Sequence, residues 1–136
     1  MRAPGRILLL AVVLLAGACA PGGADRSVTE QGRTYTQWFY GREFDQLWAR
    51  FSPEMKRTFP SPAELARFAG ETVEELGAER GEVEEAVRHQ ERLSVYSRTA
   101  SFEKAPEKML VEWTFGADGM VTGFVVRPAA DTAKAG

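Results

Sequence analysis

His89 is the only histidine of the chain, and so the first residue to weigh as a general base or metal ligand. It stands between Arg88 and Gln90 in a polar stretch, a setting that predicts a solvated surface imidazole. A zinc site would need further imidazole or thiolate donors, and the one cysteine, Cys19, sits far away near the start. No metal and no other cofactor is expected. Asp45 has the chemistry of a carboxylate base. It falls in the first turn of a predicted helix just after Gly41, where an acid complements the helix dipole, so its expected role is structural. The serines show no Gly-x-Ser-x-Gly elbow, and no catalytic residue is assigned.

Binding chemistry is better represented. Arg98 and Glu112 each interrupt an otherwise packable strand. If Tyr96, Arg98 and Ala100 line a concave face, Arg98 can meet an anionic ligand with its bidentate fork. The plainer and favoured expectation is a cross-strand ion pair of Arg98 with Glu112 on the exposed sheet face. Trp38, Tyr40, Trp48 and Trp113 are candidates for an aromatic pocket. Trp48 and Trp113 fit core stripes, whereas Tyr40 falls near the end of a helix and is the better pocket residue. Tyr40, Tyr96 and Arg98 are therefore the candidate ligand-binding set. Glu71, Glu74, Glu75, Glu79, Glu82, Glu84 and Glu85 form an acidic run whose expected role is a solvated face.

The elements that must position these residues can be read from period and punctuation. Ser27 to Phe59 has an interrupted helical pattern. Ser27 and Glu30 have capping-box spacing, Tyr35, Trp38 and Phe39 share a face, and Gly41 allows a break. Phe44, Leu47, Trp48 and Phe51 follow at helical spacing. Ser52-Pro53 restarts the chain as a short turn. Ser61, Pro62 and Glu64 open the best-signalled helix, whose stripe of Leu65, Phe68, Ala69, Val73 and Leu76 stops at Gly77. Residues 82–90 are ambiguous between helix and strand, and the β-rich sequence behind them favours strand. Residues 92–102 and 108–115 read as strands, the latter with Met109, Val111, Trp113 and Phe115 on one face. Ala117-Asp118-Gly119 predicts a hairpin turn before a last strand, 120–127, ended by Pro128.

The chain has 136 residues, 44% of them hydrophobic and 26% charged, enough apolar content for one packed domain. Residues 1–19 carry Arg2 and Arg6, then an unbroken apolar run from Ile7 to Leu15, then Ala16, Gly17 and Ala18 ahead of Cys19. This is the layout of a secretory signal peptide, with an apolar run too short to span a bilayer. Leu15-Ala16-Gly17-Ala18-Cys19 resembles a lipobox, which makes Cys19 the expected lipidation site. Conventional cleavage after Ala18 is the rival, because Ala16-Gly17-Ala18 also fits the small-x-small rule. Losing Arg2 and Arg6 with the leader takes the formal net charge from −2 to −4. A mildly acidic domain without a basic stripe is poorly suited to nucleic acid.

The stretch from Trp38 to Gly77 resembles the helical half of nuclear transport factor 2-like domains, and more narrowly a bacterial envelope subfamily of unknown function. The matching features are Gly41-x-x-Phe44-Asp45, Phe51-Ser52-Pro53-x-Met55, Pro62-x-x-Leu65 and Leu76-Gly77. Val95-Tyr96-x-Arg98, Trp113, Asp118-Gly119 and Gly123-Phe124-x-x-x-Pro128 are similar to that group's strands. The resemblance implies a curved sheet wrapped around a helix, with a pocket at the open end of a cone. It also implies small lipoproteins, or modules ahead of serine-hydrolase or β-lactamase-like domains. No hydrolase domain is expected here, since the sequence ends at Gly136.

The expected organisation is a signal peptide at 1–18, a flexible tether at 19–26, one α+β domain at 27–128 and a frayed tail at 129–136. The domain is expected as helices packed on a curved antiparallel sheet, in the cystatin-like cone. The expected address is the cell envelope, and the membrane is contacted through the lipid anchor. The expected role is non-catalytic binding of a small molecule or an envelope protein, with homodimerisation as a further option and no nucleic acid. One alternative is an accessory or dimerisation module for an envelope serine hydrolase. The other is an isomerase- or dehydratase-like enzyme, for which no acid–base pair is evident.

Overall fold

The computed structural model describes residues 23–130. The leader, Cys19 and the start of the tether therefore lie outside the described residues. Four helices come first: α1 (Gly23–Tyr40), α2 (Phe44–Ala49), α3 (Pro53–Thr58) and α4 (Pro62–Leu76). Four strands follow: β1 (Glu79–Gln90), β2 (Leu93–Phe102), β3 (Met109–Phe115) and β4 (Val121–Pro128). They form one antiparallel meander in the order β1-β2-β3-β4. The chain is an α+β domain of N-terminal helices packed on this sheet. α1 lies against β1 and β2, α3 reaches β4, and α4 packs on α1 and α2.

The helix boundaries follow the caps. Ser52 Oγ accepts from the Met55 N–H at 3.3 Å, and Ser61 Oγ from the Glu64 N–H at 3.2 Å. The Glu64 side chain does not reach back to complete the box; it takes Arg67 at 2.8 Å instead. Gly77, at φ 70, closes α4 in a region where only glycine sits without strain. The break after α1 is made differently from expectation: Arg42, not Gly41, takes the positive φ of 60. α1 begins at Gly23, ahead of the Ser27 cap, so residues 23–26 belong to its first turn and not to a tether. At the other end Ala129 donates to the Lys108 carbonyl at 2.9 Å, which ties down the first residue of the expected tail.

The core lies between α1 and the sheet. Gly32, Tyr35, Thr36 and Phe39 are its contribution from α1, spaced as one helical stripe. Across from them stand Tyr96, Ala100 and Phe102 of β2, Val111, Trp113 and Phe115 of β3, and Val121 of β4. Phe39 and Trp113 are fully buried, and Phe124 packs on both rings, at 4.9 and 4.2 Å between centroids. Trp113 Nε1–H donates to Thr36 Oγ1 at 3.1 Å, so the indole's one polar atom is satisfied inside the core. Trp48 likewise donates to the Phe59 carbonyl at 2.7 Å.

β1 resolves the ambiguous segment as a strand, starting at Glu79. It is an edge strand with a bulge: between Arg80 and Glu84 it advances four residues while β2 advances only from Ser101 to Thr99. The bulge takes Gly81, at φ 74, within its span. It keeps both Glu79 and Glu85 on the helix side, because Glu79 is opposite Phe102 and Glu85 is opposite Arg98.

Candidate functional site

α1 presents a second stripe beside its core stripe. Arg33, Thr36, Gln37 and Tyr40, again at helical spacing, face Glu79 of β1 and Arg98 of β2 across a cleft of about 490 Å³. A second cavity of about 330 Å³ is lined by Tyr40, Val73, Gly77, Ala78 and Glu79. Tyr40 and Glu79 belong to both, so the two spaces adjoin there. Volumes of this size suit small ligands.

The polar wall is a chain of alternating charges. Arg33 Nε and Nη2 donate to the two oxygens of Glu85 at 2.8 and 2.6 Å. Glu85 also accepts from the Tyr96 hydroxyl at 2.6 Å and stands 3.8 Å from Arg98 Nη1. Arg98 Nε and Nη2 donate to Glu79 at 2.9 and 2.5 Å, and Nη1 reaches the Tyr96 hydroxyl at 3.5 Å. Arg98 and Glu79 are about one-fifth exposed at their side chains (19% and 21%). Two guanidinium groups and two carboxylates thus neutralise one another in bidentate geometry.

The protonation states follow from these contacts. Hydrogen bonds from Arg33 hold the Glu85 carboxyl down to about 2, with Tyr96 adding to the effect. Burial pushes the Tyr96 phenol up to about 12, and its bond to Glu85 adds to that. Glu79 raises the Arg98 guanidinium above its ordinary value. Burial raises Tyr40 well above an ordinary phenol. The cleft and the charge network beside it therefore contain a firmly ionised carboxylate, Glu85, and two firmly protonated tyrosines, none of them a base poised near neutrality.

Of the three expected pocket residues, Tyr40 and Arg98 line the cleft. Tyr96 does not: it is fully buried beneath it, and only its hydroxyl enters the charge network. The expected Arg98–Glu112 pair is overturned. Ser97, not Arg98, is the cross-strand partner of Glu112, so the two charges point to opposite faces of the sheet. Glu112 takes Arg88 at 3.6 Å and Ser97 at 3.1 Å on the outer face. The anion-receiving fork expected of Arg98 is already occupied by Glu79. The acidic run also divides. Glu71, Glu74, Glu75, Glu82 and Glu84 are exposed, whereas Glu79 is half-buried and Glu85, still open to solvent, is on the helix side and takes Arg33 of α1.

His89 is exposed, as its neighbours predict, and lies outside the cleft. Its Nε2 is 2.6 Å from Asp25 Oδ1 and its Nδ1 3.0 Å from Ser94 Oγ, which fastens the first turn of α1 to the β1–β2 hairpin. Asp45 is exposed in the first turn of α2. A Ser-x-x-Lys spacing, Ser101 to Lys104, escapes the sequence reading. Lys104 Nζ donates to the Glu74 carbonyl at 2.9 Å, and Ser101 lies on the outer face opposite Arg80, so they do not form a nucleophile and base. Among the described residues no cluster of His, Cys, Asp or Glu could hold a metal ion.

Arg33, Thr36, Gln37, Glu79 and Glu85 are the site residues that sequence reasoning missed. The signal for the first three was present: they share helical spacing with Tyr40.

Family models, curated proteins and solved structures give no match to this chain.

Proposed function

We propose that this chain is an exported, envelope-tethered binding domain of the nuclear transport factor 2-like kind, which holds a small molecule in the cleft between α1 and β1–β2. One observation carries the reading: a cleft of about 490 Å³ whose helix wall is tied to β1 by Arg33–Glu85 and whose sheet wall is tied within itself by Arg98–Glu79. A preformed wall of this sort orients a ligand without having to reorganise. The helices-first, meander-after order supports the superfamily placement, and the leader with Cys19 supports the envelope address. Non-catalytic binding is favoured over an isomerase- or dehydratase-like role because Glu85, the carboxylate at the centre of the network, is held low and makes a poor base at neutral pH. It is favoured over a hydrolase-accessory or dimerisation role because the exposed large apolar residues Phe68, Leu93 and Val125 stand singly on different elements.

The test is a native mass spectrum of the mature protein taken from its own envelope in mild detergent. A small discrete mass above that of the lipidated monomer supports the binder. A dimer or a second polypeptide supports the interaction alternative and sinks the simple binder. A mature mass without acyl chains overturns the anchor at Cys19.

A further inference from the structure

Resting on the cleft as a binding site, we propose that its ligand is an uncharged small molecule that offers an oxygen acceptor to the Tyr40 hydroxyl and lays an apolar body against Val73 and Ala78. Tyr40 Oη is the one buried side-chain polar atom without a hydrogen-bond partner among the described residues. A buried donor left unpaired is costly, and natural structures keep few of them without a reason. This one belongs to a ring that lines both cavities. Burial keeps the phenol protonated, so it acts as a donor. Presenting that donor requires the ring, packed on Phe39 and Phe102, to turn toward one of the cavities, where a ligand acceptor would hold it.

The rest of the wall selects against charge. An anion could gain the fork of Arg98 only by displacing Glu79, which would leave a carboxylate at 21% exposure without its partner. Arg33 is likewise taken by both oxygens of Glu85. A cation would meet carboxylates that are already neutralised. Thr36 Oγ1 offers nothing further, since it donates to the Gly32 carbonyl at 2.7 Å and accepts from Trp113. The buried donor left unclaimed is Tyr40, the Gln37 amide being exposed, and the surface beside the phenol is apolar: Val73, Ala78 and the ring itself. The fitting chemistry is an amide, ketone, ether or alcohol oxygen on a compact hydrocarbon frame.

Three probes of one shape separate the possibilities: benzamide, benzoate and benzylammonium, titrated into the detergent-solubilised full mature chain and followed by backbone amide shifts. Benzamide is expected to move the amides of residues 33–40, 73, 77–79 and 98, and to bind more tightly than either charged probe. Tyr40→Phe is expected to weaken benzamide roughly five- to tenfold, the loss of one hydrogen bond, and to leave the charged probes unchanged. Gln37→Ala, one turn earlier on the same wall and exposed, should change benzamide binding far less. Benzoate binding more tightly than benzamide, or benzamide unaffected by Tyr40→Phe, overturns the ligand class and leaves the binding reading standing. No shifts at these residues with any of the three overturns the binding reading itself.

Discussion

The backbone of α1 at Gly32 rests against the ring of Tyr96. A Cβ placed there would lie 2.2 Å from Tyr96 Cδ1 and Cγ, and 2.8 Å from its Cβ. The ring is fully buried and its hydroxyl is tied to Glu85, so it has no room to retreat. This close approach brings the polar stripe of α1 down to the strands that complete the cleft.

Gly32→Ala should accordingly destabilise the domain, although alanine is the better helix former by about 1 kcal/mol. Overpacking costs about 1–3 kcal/mol and should outweigh that gain. Gly70→Ala is the control. Its Cβ would meet only the flexible Arg42 Nη1, at 3.5 Å, and should stabilise α4. Urea unfolding of the two variants should move the midpoint in opposite directions.

Tyr40 and Tyr96 should respond differently to loss of their hydroxyls. Tyr40→Phe removes a buried group with no partner and should leave stability unchanged or raise it. Tyr96→Phe takes a hydrogen bond from an ionised carboxylate and should cost about 1.5–3 kcal/mol. Thermal melts of the two single variants settle the contrast.

Acid should weaken the fold through Glu85. Its carboxyl is lowered from 4.5 to about 2 by Arg33 and Tyr96, so the folded state binds the proton less readily than the unfolded state. The stabilisation is fully present above pH 4.5 and is lost as pH falls from there toward 2. Glu85→Gln should be less stable at neutral pH and show a shallower decline across that window. A melting temperature measured at half-unit pH steps reads both effects.

Arg98 and Glu79 should prove strongly coupled. Each donates or accepts twice across one pair, at limited exposure. A double-mutant cycle with Arg98→Gln and Glu79→Gln should return about 0.5–3 kcal/mol of interaction. Arg98→Lys should recover little of it, since an ammonium group cannot fork.

Local grammar made most of the fold readable. Ser52 and Ser61 act as the caps their sequence contexts predict, and the strand face of Val111, Trp113 and Phe115 is buried as its alternation requires. The site was less accessible because it depends on register. Whether Arg98 meets Glu112 or Glu79 is set by which residues oppose one another between strands, and the bulge in β1 decides which residue of β2 Glu79 stands opposite. No one-dimensional pattern encodes a bulge of this length. Glu79 and Glu85 were hidden for a further reason: among other glutamates they look like solvent-facing charge, and only tertiary pairing with Arg33 and Arg98 distinguishes them. Tyr40, by contrast, could be picked out from its place at the end of a helix.

The segment between α2 and α3 has a consequence for how the domain behaves in company. Phe51 bridges Val121 in parallel, with Ser52 N–H donating to the Val121 carbonyl and Val121 N–H to the Arg50 carbonyl, both at 2.9 Å. This clasp caps the open margin of the sheet where β4 begins. The opposite margin, β1, is kinked by its bulge and bristles with Glu82 and Glu84. The kink and the charges blunt the β1 border, and the clasp blunts the β4 border at its start, against a passing chain. Copies crowded together would thus find little purchase at these places for zipping into fibrils.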